Sequence, residues 1–312
     1  ELYAGCLNDL EFVITESEKT GDTSGALMGT LLKAYTFQLL VDLFGDVPYT
    51  EAVTGVNSIT PKTTEGSVIY QDLILKIDAA LAKYNANPSS TDIGKQDMIY
   101  GADMAQWVKF ANTLKLKMYL RMAYTTSANP AKVNELIALN NFITTDAKFS
   151  NFGTGLNQRN PFYEVQIVYL GDVNNVASNS LSEFYNLNND PRLKSVYRAN
   201  TSNNYVSISQ GSGDTFNNTA PSYSRPNIKA DTPVYLLSVA ESNFLQAEAL
   251  IRYAAGAGAK AKYDAGVNAS FVTYGLTTSL AAPLLAPGGA YGYVVGANTE
   301  ATVRQVIIQK WA

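Results

Sequence analysis

Apolar residues recur at three- and four-residue spacing through most of the first half of the chain, a period that predicts helices. Leu2, Tyr3, Leu7, Leu10 and Ile14 already follow it. A helix is predicted from about Ser24 to Phe44, with Leu27, Leu31, Ala34, Tyr35 and Leu39 on one face. Gly45 stops it and Asp46-Val47-Pro48-Tyr49 turns the chain. Another helix, from about Ser67 to Tyr84, is marked by Val68, Leu73, Leu75, Ile77 and Leu81. Asp103, with Gln106 three residues on, has capping-box spacing and opens a helix through Trp107, Val108, Ala111, Leu114, Met118 and Met122 to about Tyr124. Leu116 and Leu120 give it a second apolar face, so burial on two sides is expected. A further helix spans about Pro130 to Asn140.

From about Thr145 to Asp231 the period disappears. Asn, Ser, Gly and Thr are dense and aromatic residues are scattered, with one short helix expected over Leu181 to Leu187. Long loops and short strands of this kind inside a compact domain are usually functional. Helical spacing returns over about Leu237 to Tyr253 and Lys260 to Tyr274, breaks at the Pro/Gly stretch Ala282 to Gly292, and resumes near Thr299. Helices in pairs with short turns suggest a tetratricopeptide-like scaffold, although no repeat period is visible. The expected organisation is one domain: helical scaffold over 1–144, loop-rich region over 145–231, helical scaffold over 232–312. Neither end carries a cap or turn signal, so the chain is read as truncated at both ends.

Composition narrows the chemistry. The 312 residues are 46% hydrophobic, and only 16% are charged, with a net charge of −4. That balance argues against a nucleic-acid partner, which would call for a basic stripe. Histidine is absent, which excludes Ser-His-Asp and Cys-His catalysis and His-ligated zinc within these residues. The single cysteine, Cys6, excludes an intrachain disulfide and is expected to be a small buried residue. Tyr3-Ala4-Gly5-Cys6 looks like a lipidation box, but no basic and apolar segment precedes it. The stretch Leu31 to Phe44 is interrupted by Lys33, Gln38 and Asp42 and falls short of ~20 apolar residues, so no membrane span is expected. Twenty Tyr and 12 Phe accompany many amides and hydroxyls, a surface suited to uncharged polar ligands.

Several ordered segments carry a family resemblance. They are Asp42-Leu43-Phe44-Gly45-Asp46-Val47-Pro48-Tyr49-Thr50-Glu51-Ala52, Trp107-Val108-Lys109-Phe110-Ala111-Asn112-Thr113-Leu114-Lys115-Leu116, and Asp190-Pro191-Arg192-Leu193. To these add the run Pro233 to Ile251 around Ala240-Glu241-Ser242-Asn243-Phe244, then Tyr263-Asp264-Ala265-Gly266, and Gln309-Lys310-Trp311. Together they resemble the SusD/RagB family of nutrient-binding outer-membrane lipoproteins, most closely its SusD-like second branch. The resemblance implies a mainly α fold of tetratricopeptide-like helix pairs with a loop-rich, short-strand face that binds ligand. It also implies anchoring on the outward face of the outer membrane through an N-terminal lipidated cysteine absent from this chain. The implied partner is a SusC-like TonB-dependent transporter, and the implied cargo is an oligosaccharide, with peptides as the alternative. The blocks themselves read as scaffold: Trp107 and Phe110 as core anchors, Lys109 and Lys115 as partners of carboxylates, Asp42 and Asp46 as caps of the Gly45 turn.

Binding sugar without catalysis needs flat rings for C–H faces and neutral amides or a few charged groups for hydroxyls. The candidates are Asn157, Gln158, Arg159, Asn160, Phe162 and Tyr163, followed by Tyr169. Tyr205, Phe216 and Tyr223 form a second group, and Tyr291 and Tyr293 a third. Glu241 and Glu248 share a helix face, as a pair of glycosidase carboxylates can, yet both belong to the helix block and read as structural. Asp172, Asp190 and Asp214 lack calcium-loop spacing. No catalytic residue, metal or cofactor is expected, and an enzyme acting on glycans is the third reading behind binding of oligosaccharide or peptide.

Overall fold

The structure is a computed structural model, and it describes residues 2–55, 58–89, 94–172, 174–211 and 222–312. The chain divides into two compact units, Glu1–Thr145 and Asp146–Ala312.

In unit 1 a π-helical turn, Tyr3–Leu7, runs into α1 (Asn8–Thr20), followed by α2 (Thr23–Phe44), α3 (Gly66–Ala86), α4 (Met104–Arg121) and α5 (Pro130–Leu139). A two-residue antiparallel ladder, β1 (Val47–Pro48) with β2 (Thr63–Thr64), closes the excursion between α2 and α3. Side chains cap the start of α2 and α4, the second as the sequence predicts. Asp22 accepts the Gly25 N–H at 3.0 Å, and Asp103 accepts those of Ala105 and Gln106 at 3.0 and 3.3 Å. Glycine decides how closely α1 approaches α2, because a Cβ on Gly29 would lie 2.9 Å from Ile14. α4 is buried on both faces, with Trp107, Phe110, Leu114, Leu116 and Met118 all in the core. Each such side chain contributes roughly 1.5–3 kcal/mol by leaving water. The Trp107 indole N–H donates to Asp97 at 2.7 Å, which satisfies the polar end of an otherwise apolar anchor.

Five expectations for this unit need correction. Cys6 is exposed, because the π-helical turn sends Leu7 into the core and leaves Cys6 beside Thr36, off that face. α2, at 22 residues, is by length and mean hydropathy long and apolar enough to cross a membrane; here Leu27, Leu31, Ala34 and Phe37 on it form the core of unit 1. Val68 and Leu75, which marked α3, face outward, and Ile69, Leu73, Ile74 and Ile77 carry its packing. Lys115 pairs with Asp78 at 2.7 Å as expected, but Lys109 donates to the Thr144 hydroxyl at 3.3 Å. At the Gly45 turn Asp46 accepts the Gly66 N–H, whereas Asp42 bonds the side chains of Gln38, Tyr70 and Arg121.

Unit 2 runs β3 (Ala147–Phe149), α6 (Pro161–Tyr163), a π-helical turn (Glu164–Tyr169), α7 (Asn179–Leu187), α8 (Leu193–Val196), β4 (Tyr197–Arg198), β5 (Arg225–Pro226), β6 (Val234–Leu237), α9 (Val239–Tyr253), α10 (Ala259–Thr273), α11 (Thr278–Leu285) and α12 (Thr299–Trp311). β3 pairs antiparallel with β6 and β4 with β5. Its core joins Phe244, Ala247 and Ile251 of α9 to Tyr263, Val267 and Phe271 of α10 and to Val303 and Val306 of α12. α9 and α10 meet at Gly266, where a Cβ would fall 2.7 Å from the Phe244 ring. α11 starts before the stretch read as a break and runs four residues into it: Pro283 lies near its C-terminal end, and buried Ala281 holds the helix on the core.

At the Asp190-Pro191-Arg192-Leu193 block Arg192 is completely buried. It bonds Asp190 at 3.0 and 2.6 Å and Ser270 at 2.8 Å, with its guanidinium about 5 Å from the Tyr185 and Phe271 ring centres (5.1 and 4.9 Å). Tyr291 completes the cluster by donating to Asp190 at 2.7 Å, and burial, then that bond, pushes its phenol well above the usual range. Tyr291 is therefore core rather than ligand surface, and Tyr293 packs beside it on Tyr263 at 5.5 Å. The third candidate group is structural.

Candidate functional site

The first candidate group lies on one short segment of unit 2. Asn160 is only 4% exposed, and both its amide oxygen and its amide nitrogen are bonded within the protein. Its Oδ1 accepts the N–H groups of Phe162 and Tyr163 at 2.9 and 3.2 Å, its Nδ2 donates to the Thr232 carbonyl at 2.7 Å, and its own N–H donates to Ala230 at 2.7 Å. It is the N-cap of α6 with Pro161 at the first helical position. Asn160 is buried and bonded on both sides of its amide, and so positions the segment. The signal was present in the Asn-Pro pair, which reads as a helix start.

Beyond that cap the chain emerges apolar. Phe162 is 46% exposed and Tyr169 73%, and Val165, Val168 and Leu170 between and after them are exposed as well. The π-helical turn, whose Leu170 N–H reaches back to the Val165 carbonyl at 3.0 Å, carries this ridge, and π turns recur at functional sites. Leu156, also exposed, precedes it on a tight turn closed by Gly153 N–H to Gln158 O at 2.8 Å, with Asn157 in the left-handed region at φ 63°. Asn157 and Gln158 are exposed. Arg159 is held by Glu164 at 3.0 Å and by the Thr154 carbonyl at 3.1 Å. Tyr163 is half-buried.

Polar side chains tie this ridge to β4 and β5, next to which the second group lies. Asp172, whose N–H donates to Gln166, takes Arg198 of β4 at 2.6 Å, and Arg198 also donates to the Pro226 carbonyl of β5. Asn175 bridges the Gln166 side chain at 2.8 Å and Arg225 at 3.3 Å. Next to these strands Ser224 N–H donates to Val206 O at 2.8 Å and Val206 N–H to the Ser224 hydroxyl at 3.0 Å, which sets Tyr205 and Tyr223 on adjoining backbone segments. Phe216 lies outside the described residues. Sequence reasoning missed Gln166, Asp172, Asn175 and Arg198 as positioning residues, and missed the aliphatic half of the ridge, because no motif links them.

Of the three arginines in this region, Arg159 is matched by Glu164 and Arg198 by Asp172, and Arg225 is buried. The arrangement offers apolar faces flanked by amides with the nearby charges paired or buried, which suits a neutral ligand. Glu248, by contrast, is buried and shared between Arg252 at 2.9 Å and Lys310 at 3.4 Å, a structural role. Among the described residues no cluster of three or more Asp, Glu or Cys side chains could hold a metal ion.

A cavity of about 560 Å³ occupies a different place, in unit 1, walled by α1, α2 and α3. None of the residues selected from sequence lines it.

The sequence profile of the SusD-like family, described as starch-binding and associating with the outer membrane, matches residues 1–312. The chain belongs to the SusD-like family. A SusD homologue from Bacteroides uniformis is similar in structure, with a TM-score of 0.80, 25% identity, and coverage of 98% of this chain and 68% of that one. An outer-membrane protein from Bacteroides vulgatus, described as probably involved in nutrient binding, gives a TM-score of 0.82 at 18% identity over 99% and 74%. A chitin-binding SusD homologue from Flavobacterium johnsoniae gives 0.77 at 20% identity over 99% and 69%. Against a second Bacteroides vulgatus homologue this SusD-like chain spans 64% of the relative's length. No curated protein matches it. The mainly helical fold expected from the resemblance is the fold found.

Proposed function

We propose that the ridge of Phe162, Val165, Tyr169 and Leu170, with Gln158 before it, binds a neutral oligosaccharide at the cell surface and releases it chemically unchanged. The observation that carries this reading is the exposure of two rings and three aliphatic side chains on a segment pinned by Asn160, in a chain of a starch-binding family. Apolar C–H faces of sugars pack on such side chains, and neighbouring amides meet hydroxyls. Membership of an outer-membrane family further supports delivery to a SusC-like TonB-dependent transporter from an outward-facing, lipid-anchored position. The chemistry of the site favours binding over hydrolysis: Glu241 and Glu248 sit on the scaffold helix α9, away in sequence from the ridge.

Isothermal titration with maltoheptaose and chitohexaose, as representatives of a wider panel of neutral glycans, tests the reading. A saturable heat that falls about tenfold in affinity, ~1.4 kcal/mol, in Tyr169→Ala supports it. A panel with no heat, or a Phe162→Ala/Tyr169→Ala double variant that binds like the parent, overturns it. Release of reducing ends would replace binding with catalysis.

A further inference from the structure

The cavity in unit 1 has features of a built site. α1 and α3 each pack against α2, and the space between them above α2 is floored by Ala26, Thr30 and Ala34 at four-residue spacing. The cleft is open to solvent along its charged rim, and its volume of about 560 Å³ falls in the size range of ligand pockets. Eight residues of helix make the floor roughly 12 Å long. Ile14 and Leu73 face each other as apolar walls.

The ends differ in charge. At the start of α2 the lining holds Glu18 and Asp22 against Lys83, which crosses from α3 to Glu18 at 2.7 Å. At the Tyr49 end it holds Lys33 and Lys76 against Glu11, with Lys33 paired to Glu11. Asp72 stands outside the lining, behind Lys76 at 2.8 Å, and accepts the Tyr49 hydroxyl. The surface a ligand would touch is thus carboxylate-rich at one end, ammonium-rich at the other and apolar between. Lys76, Lys83 and Glu18 are half-exposed, and ion pairs of that kind reorganise at a cost of about 1 kcal/mol or less.

We infer that this cavity binds a linear zwitterion with an apolar middle and its charges roughly 10–12 Å apart, its ammonium toward Glu18 and Asp22 and its carboxylate toward Lys33 and Lys76. Two kinds of molecule have that chemistry. An extended peptide of three or four small residues spans ~10–14 Å at ~3.3–3.6 Å each, and an ω-amino acid of similar length does so without amides. The site is separate from the oligosaccharide ridge and does not rest on it.

Titration calorimetry with trialanine, 8-aminooctanoate, N-acetyl-trialanine amide and glycine tests the inference. Trialanine or 8-aminooctanoate, or both, should bind saturably, with the blocked peptide at least tenfold weaker and glycine silent. Trialanine alone identifies a peptide site, and 8-aminooctanoate alone a non-peptide amphiphile. Thr30→Phe, which fills the floor, should abolish binding. Should that variant melt early, Lys76→Gln on the rim should still weaken it about fivefold, and Tyr169→Ala should leave it unchanged. No heat from either linear zwitterion, or equal binding of the blocked peptide, overturns the inference; maltoheptaose binding is read separately in the same variants.

Discussion

The ridge of unit 2 and the cavity of unit 1 offer apolar surface by opposite means. The ridge is convex: Phe162, Val165 and Tyr169 stand out from a π-helical turn whose backbone is tied down by Asn160, Gln166 and Asp172. The cavity is concave, and it exists because small residues, Ala26, Thr30, Ala34 and Ala80, coincide where three helices meet. Exposed rings need polar anchors behind them, since a loop cannot rely on side-chain packing to hold its shape. A cleft between helices needs only that side chains be short at the right turns. Ligand selectivity should differ accordingly, with stacking at the ridge and charge spacing in the cavity.

The largest test of this contrast is at the frame of unit 2. Asp190→Asn leaves Arg192 charged and unmatched at a fully buried position, and should lower stability by about 3–5 kcal/mol, read as a drop in urea midpoint. Asn160→Ala removes one cap and a tether, and should cost about 1–2 kcal/mol of stability. It should also reduce maltoheptaose affinity although Asn160 is buried; unchanged affinity would show that the ridge holds its shape without this anchor. Tyr169→Ala should weaken sugar binding by ~1.4 kcal/mol while stability stays within about 0.5 kcal/mol, as surface changes do.

On the cavity side, Lys83→Ala opens the pair that crosses from α3 to α1 and should change stability by less than about 1 kcal/mol, measured by thermal melting. The smallest effect concerns acid. Burial alone would raise the Asp72 carboxyl, but hydrogen bonds from Lys76 and Tyr49, with the charges of Lys76 and Lys33, bring it below its ordinary 3.8. The folded state therefore gains stability from Asp72 above that ordinary value and loses it as pH falls through the lowered one. Asp72→Asn should flatten this part of the acid-unfolding curve.

Much of the scaffold was legible because its signals are local. Asp103 caps α4 as its spacing predicts, and Trp107 and Phe110 are buried as a two-faced apolar helix requires. Asn160 was misread for the opposite reason: an amide beside aromatic rings in a loop suggests a ligand contact, and only its bonds to Ala230 and Thr232, some seventy residues on, reveal an anchor. Tyr291 likewise looked like a loop ring until its bond to Asp190 placed it in the core. Cys6 failed because a π-helical turn shifts the face that a regular helix would bury.

The order of apolar and polar residues alone located the long helices, though not α11, and the ordered blocks from Asp42 to Trp311 determined the family, since both depend on neighbours a few positions apart. Which rings reach water, which amides are already bonded, and that short side chains on α2 and α3 face a common space were decided by the tertiary structure. Those properties belong to pairs of residues distant in sequence, and no local propensity encodes them.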